Sequence, residues 1–255
     1  MRVANKVVVV TGAASGIGRA MARRFAAEGA KHVAVADLDG GGAAAVAAEI
    51  GGSSAQINVA NEEDLQGLIE TTERDHGPIE LFCSNAGIGL GRGIDEPDTT
   101  WQKIWEVNVM SHVYAARNLI PRMVQRGGGY LLNTASAAGL LSQIGSVTYA
   151  VTKHAAVALA EWLSITHGHE GIKVSVLCPQ AVRTAMTAGR EDGVASVDGM
   201  LEPEQVADAV IEALAAERFL VLPHPEVADY MRRKTADYDR WLAGMRRLAE
   251  RYREN

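Results

Sequence analysis

The chain has 255 residues, 47% of them hydrophobic, and a formal net charge of −6 at pH 7. That is enough apolar material for one large core, and the negative balance excludes a nucleic-acid surface as the main function. The two cysteines, Cys83 and Cys178, lie far apart in apolar runs, so buried thiols in a reducing cytoplasm are expected, with neither a disulfide nor a metal site.

Short runs rich in Val, Leu and Ile predict strands at 7–10, 32–36, 55–57, 81–83, 130–133, 174–177 and 219–222. Most are continuous rather than alternating, as in strands buried on both faces of a parallel sheet. Helical patterns lie between them, so a doubly wound α/β fold is expected. No run reaches ~18 uninterrupted apolar residues, which argues against a membrane span or signal peptide.

The first strand runs into Thr11-Gly12-Ala13-Ala14-Ser15-Gly16-Ile17-Gly18 and then a helical segment. Glycines there permit a tight turn and a close backbone approach to a pyrophosphate, with the helix N-terminus supplying N–H groups. The second strand ends at Asp37, with Leu38 and Asp39 rather than a basic residue after it. A carboxylate at that place accepts hydrogen bonds from ribose hydroxyls and repels a 2′-phosphate, which points to NAD over NADP. Residues 40–49 read as a surface helix without chemistry. Asn58-Val59 follow the third strand and Asn85-Ala86-Gly87 the fourth, where an amide or small residues can meet a cofactor.

Residues 97–125 read as one long helix with Asp98 as its N-cap. Asn108 sits inside it, either as a tolerated surface polar residue or as a local distortion that frees a carbonyl for a water. Ser136 follows the strand-like run YLLNT. Tyr149 and Lys153 are four apart before an alanine-rich helical run, so they share a helix face with Cβ atoms roughly 5–6 Å apart. A lysine so placed favours the phenolate, and a nearby hydroxyl completes a general acid/base site.

Taken together, Thr11-Gly-x-x-x-Gly-x-Gly18, Asp37, Asn85-Ala-Gly87, Asn108, Ser136 and Tyr149-x-x-x-Lys153 resemble the short-chain dehydrogenase/reductase family, across about residues 6–222. The resemblance implies a Rossmann-type, seven-stranded parallel sheet with helices on both faces. Residues 1–223 would form the catalytic domain, with a cofactor half to about 95 and a substrate half from about 96; residues 224–255 would add a C-terminal helical extension. It implies Tyr149 as acid/base, Ser136 as the group orienting substrate, Lys153 on the nicotinamide ribose and lowering the tyrosine's pKa, and Asn108 in a water-mediated proton relay. The NAD contacts it implies are Gly12, Ser15, Gly16, Ile17, Gly18, Asp37, Asn58, Val59, Asn85, Ala86, Gly87, Tyr149, Lys153, Pro179, Val182 and Thr184. Two positions depart from the family: Asn58 stands for an aspartate, and Gln180 follows Pro179 where glycine is usual. Gln180 either projects toward substrate or marks a different turn.

Segments 88–95, 140–147 and the lid-like 183–200 should wall the substrate pocket. Leu140, Gln143, Gln180 and Met186, with Ser136 and Tyr149, are its candidate residues. Few charges precede the lid, so a lipophilic alcohol or ketone is expected. The lid has a plainer reading as a surface loop. Val227, Met231, Tyr238, Trp241, Leu242, Met245, Leu248 and Tyr252 recur at helical spacing in the tail, which is expected to pack on its own subunit or a neighbour, or less favourably on a membrane surface. The leading function is an NAD-dependent alcohol dehydrogenase or carbonyl reductase, a homo-oligomeric dimer or tetramer. The rivals are a dinucleotide sensor or scaffold without turnover, and an NAD-assisted epimerase or dehydratase.

Overall fold

The computed structural model describes residues 1–189 and 193–252. Seven strands form one parallel sheet in the order β3-β2-β1-β4-β5-β6-β7. They are β1 (Val7–Thr11), β2 (His32–Asp37), β3 (Ser53–Gln56), β4 (Ile79–Ser84), β5 (Gly129–Thr134), β6 (Ile172–Leu177) and β7 (Leu220–Val221). The order reverses between β1 and β4, which opens a crevice at the strands' C-terminal ends.

Alternate residues of each strand feed two cores. Val8 and Val10 of β1 join Met21 and Phe25 of α1 (Gly16–Ala27), Val46 of α2 (Gly40–Ile50) and Val206 and Val210 of α8 (Pro203–Ala216). On the other face, Val7 and Val9 join Leu65 and Ile69 of α3 (Glu62–His76), Leu119 and Met123 of α5 (Ser111–Gln125), and Ala156 and Ala160 of α7 (Val147–His167). Both cysteines are buried as expected, and burial pushes the Cys178 thiol up to about 12.

Three expectations need correction. β3 starts at Ser53, two residues early, and Ile57 lies beyond it; this edge strand pairs only with β2, so it needs no apolar run. Residues 97–125 are not one uniform helix: α4 (Asp98–Trp105) passes through a π-turn (Glu106–Met110) before α5. Asp98 is its first helical residue, and Pro97 occupies the cap position. The tail is two helices, α9 (Glu226–Ala236) and α10 (Tyr238–Arg251). Asp237 breaks them with φ −155° and accepts a hydrogen bond from the Arg240 N–H, capping the second. Val227 of α9 is fully buried against Ala137 and Leu141, with Trp241 of α10 packed alongside, whereas Tyr238 and Leu242 are exposed.

Candidate active site

A cavity of about 820 Å³ lies at the C-terminal ends of β1, β2, β4, β5 and β6. Every residue assigned to NAD from the sequence lines it, from Gly12 and Ser15 to Val182 and Thr184. The turn after β1 is held in left-handed backbone at Gly12 (φ 64°) and Gly16 (φ 53°). A Cβ on Gly12 would stand 2.7 Å from the Ala86 Cα, so any other residue there would push the β1 and β4 loops apart.

The polar lining is only partly free. Asp37 accepts from the Ala14 N–H at 2.9 Å and the Asp39 N–H at 3.0 Å, which ties the glycine turn to the end of β2. The Asn85 amide donates to Thr11 O and accepts from the Thr134 hydroxyl, pinning β1, β4 and β5 together. Asn58 Oδ1 accepts from the Ala60 N–H within its own turn. Ser15 precedes α1 without a side-chain cap bond.

Asn108 is fully buried, which overturns the surface reading, and it lies in the π-turn, as the distortion reading required. Its amide accepts from the Ile88 N–H and donates to Ile88 O, both at 2.9 Å, with Thr152 Oγ1 at 3.3 Å as its other partner. Asn108 Oδ1 and Lys153 Nζ each lie 3.3 Å from the place a Gly87 Cβ would take. A side chain at Gly87 would crowd both.

Lys153 is 3% exposed and donates to the Thr134 carbonyl at 3.0 Å. Burial lowers its pKa from 10.5 to about 8. Its Nζ lies 5.7 Å from the centre of the Tyr149 ring. Burial pushes the Tyr149 phenol above its ordinary 10.0, and the Ser136 hydroxyl facing it draws it back. In the cofactor-free protein desolvation therefore outweighs the Ser136 hydrogen bond, and the phenol's net shift is upward. Ser136 is itself fixed: its Oγ accepts from the Ala138 N–H at 3.1 Å and faces Pro179 O at 3.4 Å.

A second cavity, of about 630 Å³, opens beyond Ser136 toward α9 and α10. Ser136 and Gln180 line both cavities. Gln143 lines the second, while Met186 lines the first. Leu140 lines neither; it packs against the core beside Leu222, and Leu141 of α6 (Ala138–Leu141) takes the wall. Gln180 points its Nε2 to Asp198 Oδ2 at 3.0 Å, and Asp198 Oδ1 accepts from the Tyr230 hydroxyl at 2.9 Å. Of the expected lid, residues 190–192 lie outside the described residues; its far end returns through the pairing of Val182 with Leu201.

The matching sequence model is that of the short chain dehydrogenases, over residues 6–195. The chain belongs to the short-chain dehydrogenase family. It is 36% identical over 236 residues to a 1-deoxy-11-beta-hydroxypentalenate dehydrogenase of Streptomyces exfoliatus, covering 89% of this chain and 86% of the relative. A family structure from Burkholderia phymatum in complex with NAD superposes with a TM-score of 0.86 at 30% identity, covering 94% of this chain and 96% of the other. A 7 alpha-hydroxysteroid dehydrogenase complexed with NADH and 7-oxo glycochenodeoxycholic acid gives 0.79 at 26% identity, over 87% of this chain and 93% of the other. These relatives put the family member among the oxidoreductases acting on alcohols and ketones. Thr152, Asp198 and Tyr230 escaped the sequence reading. Thr152, directly before Lys153, had the only local signal: a hydroxyl on the face of a helix otherwise rich in alanine.

Proposed function

We propose that this chain transfers a hydride between NAD(H) and a secondary alcohol or ketone carried on a lipophilic body. The observation that supports it most is the convergence of Ser136, Tyr149 and Lys153 on the first cavity, with Ser136 on the wall shared with the second. The lining fits a dinucleotide: a glycine turn at an uncapped helix N-terminus suits a pyrophosphate, and the Asp37 carboxylate suits ribose hydroxyls. Bound there, NAD supplies the hydride acceptor, and NADH the donor.

The chain's own residues manage the proton. Ser136 donates to the substrate oxygen and orients it. Tyr149 takes the hydroxyl proton during oxidation and returns it during reduction. Lys153 holds the ribose and places a positive charge beside the phenol, since below about pH 8 its amine is protonated. Asn108 anchors a relay to Lys153 by fixing Ile88 and the π-turn. In this reading residues 1–95 serve mainly the cofactor, 96–223 the chemistry, and 224–255 the outer wall. One of the compared proteins is named for an organic acid, a hydroxypentalenate, and another is complexed with one, 7-oxo glycochenodeoxycholic acid.

NAD⁺ reduction against a panel of secondary alcohols tests the reading, with Tyr149→Phe alongside. Turnover should vanish in the variant, by at least about 10²–10⁴-fold, while NAD⁺ binding stays within a few-fold. NAD⁺ binding without any turnover would instead mark a dinucleotide sensor. We also read the chain as a homo-oligomer, dimer or tetramer, because Val151, Trp162 and Ile165 of α7 and Trp105 of α4 expose apolar surface. Sedimentation of the full chain checks this, and a monomer refutes it.

A further inference from the structure

The lining of the second cavity is chemically mixed. Its apolar part comes from Leu141, Val197, Trp241 and Leu248, with Trp241 packed against Ala137 and Leu141 beside Ser136. Its outer wall carries Arg233 on α9 and Arg240, Arg247 and Arg251 on α10. Steps of seven and four residues keep the last three on one helix face. Among the described residues one carboxylate, Asp237, shares the lining, and its Oδ1 accepts from the Arg240 backbone N–H. Asp198, behind Gln180, is already held by Gln180 Nε2 and the Tyr230 hydroxyl. Among the described residues none of these four arginines enters an ion pair. The guanidinium of Arg233 lies instead over the Tyr230 ring at 5.7 Å.

Among the described residues, a chain with net charge −6 thus turns an excess of positive charge outside any ion pair onto this cavity. Cations there, on the same cavity as the Ser136 hydroxyl and the apolar Leu141 and Trp241, suit a ligand with an anion at one end and an alcohol or ketone at the other. Arginine forks match a carboxylate with two parallel hydrogen bonds. A like-signed rim also gathers anions from solution, and does so less as salt rises.

We propose that the second cavity selects a hydroxy or keto acid with an apolar body, its carboxylate held by Arg240, Arg247 and Arg251. The inference rests on the dehydrogenase reading above and names the substrate class of that same site. The carboxylate end sits on the C-terminal helix and the reacting end at Ser136 and Tyr149. The apolar body lies against Leu141 and Trp241, and the cavity's size admits a body of several fused rings.

The test uses the full chain with NAD⁺ and two matched pairs: 4-hydroxycyclohexanecarboxylate with its methyl ester, and chenodeoxycholate with its methyl ester. Both kcat/KM and calorimetric binding are measured. In at least one pair the acid should be preferred by about tenfold at low salt, as three partly solvated ion pairs would give. That preference should shrink as salt is raised, a readout that needs no variant. It should fall to within about threefold in the double variant Arg240→Gln/Arg247→Gln. Equal handling of acid and ester in both pairs, no binding of either acid, or a preference indifferent to salt and to the double variant overturns the inference. Acetoacetyl-coenzyme A with NADH is a further arm: stronger salt-dependent preference for it than for both acids would assign the arginines to a phosphate and overturn the carboxylate. Turnover of neutral cyclic alcohols without acid preference leaves the dehydrogenase reading standing, while no turnover of any alcohol removes that reading itself.

Discussion

Lys153→Met should stabilise the cofactor-free protein at neutral pH while destroying its activity. The ammonium is 3% exposed, and burial lowers its pKa from 10.5 to about 8. That lowering corresponds to a penalty on the charged form on the order of 3 kcal/mol. Methionine avoids that penalty but loses the bond from Nζ to the Thr134 carbonyl, worth about 1.5–3 kcal/mol for a charged donor. The net gain is about 1 kcal/mol at pH 7, or ~2–4 °C in Tm for a chain this size. The pH dependence separates this cause from better packing. Between the folded pKa of about 8 and the unfolded value near 10.5, the unfolded state holds the extra proton, so wild-type stability rises with pH in that window. The wild type recovers about 1.4 kcal/mol per unit, and the order of the two proteins should invert near pH ~9. Urea unfolding of both proteins at pH 7 and pH 9.5 reads this directly. A variant less stable at pH 7, or a difference that does not change with pH, refutes the reasoning. NAD⁺ binding should weaken in the same variant, since Lys153 is assigned to the ribose.

Asp37→Ser should narrow the preference for NAD over NADP by about tenfold or more, because a carboxylate facing a 2′-phosphate is removed; paired binding titrations check it, and an unchanged ratio counts against the assignment. His112 is 1% exposed, one turn beyond Asn108, and the Asn133 amide is the polar side chain facing its ring. Burial, with Lys153 nearby, lowers its pKa from 6.5 to about 3. The unfolded state therefore binds the proton first, and stability present above pH 6.5 is lost as pH falls toward about 3. Between pH 7 and 5 the wild type should lose about 2 kcal/mol more than His112→Leu; equal losses by urea unfolding would show that His112 is not the titrating group.

What could be read in advance follows from how local each signal is. Gly12, Gly16 and Gly18 sit in one turn between a valine run and a helix, and the turn's geometry depends on those residues alone. Tyr149 and Lys153 are neighbours by helix periodicity, so their proximity needed no tertiary information. Asp198 reaching Gln180 and Tyr230 joins three distant segments, and no spacing announces it. The upward push of burial on Tyr149 in the cofactor-free protein is a property of the packed site, whereas the lysine's charge is written in the sequence. The break at Asp237 was hidden because aromatic and apolar residues continue through it at nearly helical spacing; the aspartate's capping role shows only once α10 is folded.

The π-turn at Glu106–Met110 also sets the rotational phase of the helices around it. Ile104 and His112, both buried, are eight residues apart. At about 100° per residue a regular helix would carry them ~80° out of alignment. Absorbing one extra residue in the wider turn leaves seven steps, and the two return to within about 20° of one line. The core-facing stripe of α4 thus continues into α5 as though no residue had been inserted. Removing one residue from the turn would restore an ordinary helix and keep the stripe aligned, while Asn108 would lose the bulged backbone that presents it to Ile88. At this point along the chain, the requirement for packing and the requirement for chemistry differ by a single residue.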